Sequence, residues 1–149
     1  MWVFGNNIED SMGHVRFIVF YIVCGILASA AHIMTDPGSA VPTVGASGAI
    51  SGVMGAYIVL YPKVRVWTLI FYRVFPLPAW ILLLQWIAIQ IFSGVSAGGA
   101  EGGGVAFWAH VGGFVAGVVL IKLFERPQLV AAKNQHVKLP REELRRYRR

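Results

Sequence analysis

Two polar side chains in otherwise apolar surroundings are equipped for chemistry. Ser47, in Gly45-Ala46-Ser47-Gly48, stands at the mouth of one apolar segment, and His110, in Trp108-Ala109-His110-Val111-Gly112-Gly113, lies inside another. A serine hydroxyl beside a neutral imidazole is a nucleophile beside a general base. Serine among glycines also suits two membrane helices that pack closely, and a lone membrane histidine can be a satisfied polar residue, so the residue types alone leave both readings open. Depth separates them. Ser47 sits about two residues into its helix and His110 about five into its own, a difference of about 5 Å at about 1.5 Å per residue.

The neighbours of both residues are small. Gly113 and Gly117 share the helix face of His110, and Gly48, Gly52 and Ala56 repeat every four residues on the helix of Ser47. Such stripes allow backbones to approach, which a serine–histidine hydrogen bond needs. The backbone N–H groups of Ser47 and Gly48, in the first helical turn, have no intrahelical partner and can face a developing oxyanion. No aspartate lies at matching depth, so the arrangement predicts a Ser-His dyad and not a triad.

The elements that must carry these residues are membrane helices. With 56% hydrophobic and 13% charged residues in 149, a water-soluble globule would expose apolar surface it could not hide. We therefore expect an all-α, polytopic membrane helical bundle over residues 1–127, with spans at about 15–34, 45–61, 79–95 and 105–121, followed by a basic tail over 128–149. Asn6, Asn7, Glu9, Asp10 and Ser11 exclude a secretory signal at the start. Cys24, the single cysteine, excludes an internal disulfide.

Local signals fill in the connections. Residues 1–4 read as the last turn of an apolar helix stopped by Gly5-Asn6-Asn7. Thr35-Asp36-Pro37-Gly38-Ser39 reads as a turn, residues 40–44 as an extended approach to Ser47, and 66–75 as an interfacial segment too interrupted to span. Gln85 and Gln90 in the third span are tolerable where they face protein or find hydrogen bonds across helices. Residues 96–104 read as a glycine-dense loop, and the tail as flexible or lipid-bound. His14 and His32 read as interfacial residues, Trp86 and Phe92 as lipid-facing or packing residues, and Glu9 as a structural hydrogen-bond partner.

Charge gives orientation and excludes one class of partner. The net charge is +6, but nine of the thirteen basic residues lie at or beyond Lys122, directly after the last span. That placement fits an anionic leaflet, so no nucleic acid is expected. Lys63, Arg65 and Arg73 occupy the loop between the second and third spans, whereas the other two loops carry no Lys or Arg. By the positive-inside rule that loop and the tail are cytoplasmic, and the helices of Ser47 and His110 both run inward from the outer face.

These residues resemble the rhomboid intramembrane serine proteases. The resemblance rests on Gly45-Ala46-Ser47-Gly48-Ala49-Ile50, on Ala109-His110-Val111-Gly112-Gly113 with Gly117, and on Phe4-Gly5-Asn6-Asn7-Ile8-Glu9-Asp10 with Gly13, Arg16 and Tyr21. It implies that the four spans correspond to the family's third to sixth helices, the first two being largely missing. It also implies Ser47 as nucleophile, His110 as general base, single-span membrane proteins cut near the outer face as substrates, and no metal or cofactor. The implied location is multi-pass in the bilayer, in a bacterial inner membrane. A His and an Asn that help hold the oxyanion in the family fall before Met1. Ser51 stands where some members place an aromatic ring on the catalytic histidine. A fragment or pseudoprotease that binds transmembrane helices without cutting them is the alternative expectation.

Overall fold

The computed structural model describes residues 3–35, 37–38, 45–96 and 106–136. The expectations for residues 1–2, for Asp36 and Ser39 of the turn, for 40–44, for 97–104 of the glycine-dense loop and for the end of the tail at 137–149 lie outside the described residues. In chain order the elements are α1 (Gly5–Met12), α2 (His14–Thr35), α3 (Gly45–Leu60), β1 (Arg65–Ile70), β2 (Arg73–Pro78), α4 (Ala79–Ser96), α5 (Phe107–Phe124) and α6 (Pro127–His136). The fold is a polytopic helical membrane bundle with one β-hairpin attached. Three of the described helices, α2, α4 and α5, are long and apolar enough to cross a bilayer. α3 is shorter, and its glycine-rich face is enclosed by α2 and α5.

The division between inner and outer faces follows from the solvent. α2 is apolar on all sides, yet Val15, Ile18, Val19, Ile22, Ile26 and Ile33 stay exposed on it. A row of that kind is stable against lipid tails and costly against water. Its opposite face carries Phe20, Cys24 and Ala28 into a core shared with Ile8, Met12, Val53, Tyr57, Leu83 and Ile121. Phe20 meets Phe124 edge to face at 5.4 Å between ring centroids, and Phe4 meets Tyr57 at 4.9 Å, the offset geometries aromatic quadrupoles prefer.

Gly5-Asn6-Asn7, read from the sequence as a stop, opens a helix: it begins α1. Intrinsic propensity is outweighed by tertiary contact. Asn7 Nδ2 donates to the Tyr57 hydroxyl at 2.9 Å, and Ser11 Oγ donates to the Asn7 carbonyl while sharing a buried hydrogen bond with the Tyr61 hydroxyl, both at 2.6 Å. Ile8 and Met12 are fully buried on the same face. Gly13, at φ 87°, supplies the left-handed residue that separates α1 from α2. Glu9 is the hydrogen-bond partner of His14, Nδ1 to Oε1 at 2.5 Å.

The interfacial stretch folds as a hairpin, with Arg65 opposite Pro78 and Ile70 opposite Arg73. Phe71 and Tyr72 form its two-residue turn at φ 45° and 65°, the sign that matches the right-handed twist of the strands. Alternate pairs exchange hydrogen bonds, so counting back from the turn puts Pro76 and Pro78 at positions where no N–H is required. The hairpin is tied to the helix that follows it: Ala79 N–H donates to the Val64 carbonyl at 2.8 Å and Trp80 N–H to that of Pro62 at 3.2 Å. The tail also departs from expectation. Pro127 opens α6, and the Arg126 N–H donates to the Ser11 carbonyl at 2.8 Å, which brings the start of α6 against α1.

Candidate active site

Ser47 is the third residue of α3 and His110 the fourth of α5. What brings the two helices together is a seam without side chains. A Cβ added at Gly113 would lie 2.1 Å from the carbonyl oxygen of Gly48, and one at Gly117 would lie 1.9 Å from that of Gly52. Only glycine permits backbones to touch at that range. The pairs 48 with 113 and 52 with 117 advance together, so α3 and α5 run parallel.

The seam sets the level of the two polar residues. Gly48, directly after Ser47, faces the carbonyl of Ala109, directly before His110: a Cβ at Gly48 would be 3.5 Å from that oxygen. Ser51, one turn below Ser47, donates its hydroxyl proton to the backbone carbonyl of His110. Ser47 is exposed and His110 half-buried. Tyr21 on α2 donates its hydroxyl to the Ala46 carbonyl at 3.2 Å, steadying the first turn of α3 from the other side.

The imidazole is held from α4. His110 Nδ1–H donates to Gln90 Oε1 at 2.7 Å, and the Trp86 ring lies against the imidazole with centroids 5.6 Å apart. Trp86 and Gln90 are four residues apart and therefore share one face of α4. Gly94 continues that face and lets Trp108 of α5 pack over it, 3.2 Å from where a Cβ would stand. The aromatic neighbour that Ser51 cannot supply thus comes from Trp86. Among the described residues no hydrogen bond joins the Ser47 hydroxyl to the imidazole, and Nε2 of His110 has no partner.

In the sequence Gln90 and Trp86 read as tolerated or packing residues, and nothing in the pattern ties either to His110. The available signal was an amide set four residues after a tryptophan in an apolar span, where an unsatisfied amide is costly and must find a partner. Gln85 and Phe92, by contrast, are exposed. His32 departs from the interfacial expectation: it is buried on α2, and neither ring nitrogen has a hydrogen-bond partner among the described residues.

With this geometry in place, comparison with known proteins is specific. A family model described as "Rhomboid domain" matches residues 1–127. Over 126 residues, 80% of the chain and 34% of the relative, the sequence is 31% identical to "Rhomboid protein 1, mitochondrial" of Saccharomyces cerevisiae. Over 58 residues, 39% of the chain and 11% of the relative, it is 38% identical to "Rhomboid protease GluP" of Bacillus subtilis. The matched parts thus span about a third and about a tenth of these relatives' lengths. No solved structure matches the chain significantly.

Proposed function

From the premise that this chain belongs to the rhomboid family, we propose that it carries the catalytic dyad of an intramembrane serine endopeptidase, with Ser47 as nucleophile and His110 as general base. The observation that carries the reading is the glycine seam, which holds a serine at the start of one helix level with a histidine on its parallel neighbour. The chain is an integral membrane protein, so the bond to be cut lies in a segment that itself enters the bilayer. Single-span membrane proteins, opened near the outer face where small residues let the helix unwind, are the substrate class.

The chemistry follows the atoms. Nε2 of His110 takes the Ser47 proton as Oγ bonds to the scissile carbonyl carbon, giving a tetrahedral oxyanion. The first-turn N–H groups of Ser47 and Gly48 stabilise that charge, and His110 returns the proton to the leaving amine as the C–N bond breaks. Water, activated by the same imidazole, then releases the acyl group from Ser47. Exposure of the Ser47 side of the site supports entry of both substrate and water. The basic tail and the hairpin lie on the cytoplasmic side in this reading, and the site lies toward the outer face.

A second reading, a helix-binding rhomboid protein that does not cut, draws on the missing hydrogen bond between Ser47 and the imidazole. One experiment separates them. A fluorescent single-span substrate is reconstituted in vesicles with the chain, with the chain extended upstream, and with Ser47→Ala and His110→Ala variants. Cleavage lost in both variants with insertion intact supports the dyad. Undiminished cleavage in either variant refutes it, and substrate binding without cleavage in every form favours the second reading.

A further inference from the structure

We propose that Gln90 is the positioning residue for His110, doing with a neutral amide what a third, acidic member does in a triad. The inference rests on the reading of His110 as general base. Its physical basis is the direction of one hydrogen bond. Gln90 Oε1 can only accept, so the proton in the 2.7 Å contact belongs to Nδ1, and the lone pair is left on Nε2. A neutral imidazole has one basic nitrogen, and this contact decides which one it is.

The surroundings explain why an amide serves. Among the described acidic side chains, Glu9 is engaged with His14 and Glu125 with Lys122, and Asp10 lies on α1 with Glu9. A carboxylate held in the bundle would need strong compensation for its desolvation, whereas an amide needs only a partner for its own polar atoms. The imidazole is that partner for Oε1. Trp86, one turn before Gln90 on α4, lies against the ring and restricts its tilt, so α4 contributes both a hydrogen bond and a wall. Ser51 holds the backbone at the same residue, through the carbonyl of His110. The ring is thus fixed in tautomer and tilt by α4, and the backbone that carries it by α3. The neutral partner also carries a cost: an amide stabilises the imidazolium formed during proton transfer less than a carboxylate would.

Two variants and one spectrum test the assignment. Gln90→Met keeps length and volume and replaces the acceptor with a weak thioether. Gln90→Glu keeps an acceptor oxygen within reach. The chain, labelled with ¹⁵N-histidine in micelles, is compared with both variants, His110→Gln serving to assign the signal. Cleavage in vesicles is followed in parallel, using the chain extended upstream if the shorter one does not cut.

The expected spectrum of the parent shows His110 protonated at Nδ1 and bare at Nε2, with that preference lost in Gln90→Met and retained in Gln90→Glu. The expected kinetics are a fall in kcat of about 10²-fold in Gln90→Met at unchanged KM, with Gln90→Glu within about tenfold of the parent. A parent imidazole protonated at Nε2, or a Gln90→Met variant with both tautomer and kcat unchanged, overturns the inference. Full cleavage by Ser47→Ala would remove the dyad but leave the spectrum able to judge Gln90. Loss of cleavage in Ser47→Ala with an unmoved Gln90→Met spectrum removes Gln90 and leaves the dyad.

Discussion

Replacing Gly117 with alanine puts one methyl group into the α3–α5 seam, and the structure says how much room it lacks. The new Cβ would stand 1.9 Å from the carbonyl oxygen of Gly52, 2.6 Å from its carbonyl carbon and 2.8 Å from its Cα. All three opposing atoms are backbone, so no rotamer change removes the clash. Real Cβ atoms essentially never approach closer than 3.0 Å, so the helices must part by about 1.1 Å at this level. Overpacking of this kind costs about 1–3 kcal/mol. Gly117 lies seven residues, about 10 Å, below His110 on α5, near enough for a rigid parting to reach the site. A misplacement of about 1 Å between reacting groups costs on the order of 10²-fold in rate. Gly117→Ala should therefore lower stability in an SDS titration of the micelle-bound protein and reduce vesicle cleavage by about that factor. Gly38→Ala, with nothing within 4 Å of the added Cβ, should change neither. A Gly117→Ala protein as stable and as active as the parent would refute the seam as the device that sets the distance between Ser47 and His110.

Two further outcomes are expected elsewhere in the fold. Ser11→Ala should cost about 1–2 kcal/mol in the same titration, because it leaves the Tyr61 hydroxyl buried without its partner, and Tyr61→Phe should cost less, because Ser11 Oγ keeps the Asn7 carbonyl. The double variant should cost less than their sum, and strict additivity would contradict a direct hydrogen bond between them. Replacing Phe71 and Tyr72 with Asn and Gly should relieve about 1–2 kcal/mol at each residue, since their φ angles of 45° and 65° disfavour a bulky side chain. The amides of β1 and β2 should then exchange more slowly with deuterium, and faster exchange would argue against the turn.

The helical membrane architecture was readable because long apolar runs have few alternatives in a bilayer. The small-residue stripes around Ser47 and His110 were readable for a related reason: glycine at four-residue spacing gives up lipid contact and needs a neighbouring backbone in return. What escaped the sequence depends on partners distant along the chain. Asn6 and Asn7 carry the local signature of a helix stop, yet they open α1, held by distant partners such as the Tyr57 hydroxyl, fifty residues from Asn7, and the Tyr61 hydroxyl, fifty from Ser11. The hairpin has no glycine or asparagine at its turn, so Phe71-Tyr72 gave no punctuation to read. α6 was hidden behind a tail whose polarity suggests solvent, although Pro127 is well suited to a first helical turn. Gln90 was visible as an amide in need of a partner. Which partner it takes is decided by how α4 leans on α5, and no periodicity within α4 encodes that.

The spacing of the seam has a mechanical consequence. Gly48 and Gly52 are four residues apart, as are Gly113 and Gly117, and with bare backbone on both sides nothing soft lies at these contacts to absorb a small slide. The two act like combs of equal pitch. Partial sliding drives a Cα into a carbonyl, and the next seated position comes a full tooth away, about 6 Å along the axis. A shift of that size would carry Ser47 past His110 altogether. The helices can therefore be in register or out of it, and the distance between hydroxyl and imidazole is a discrete setting instead of a continuous variable.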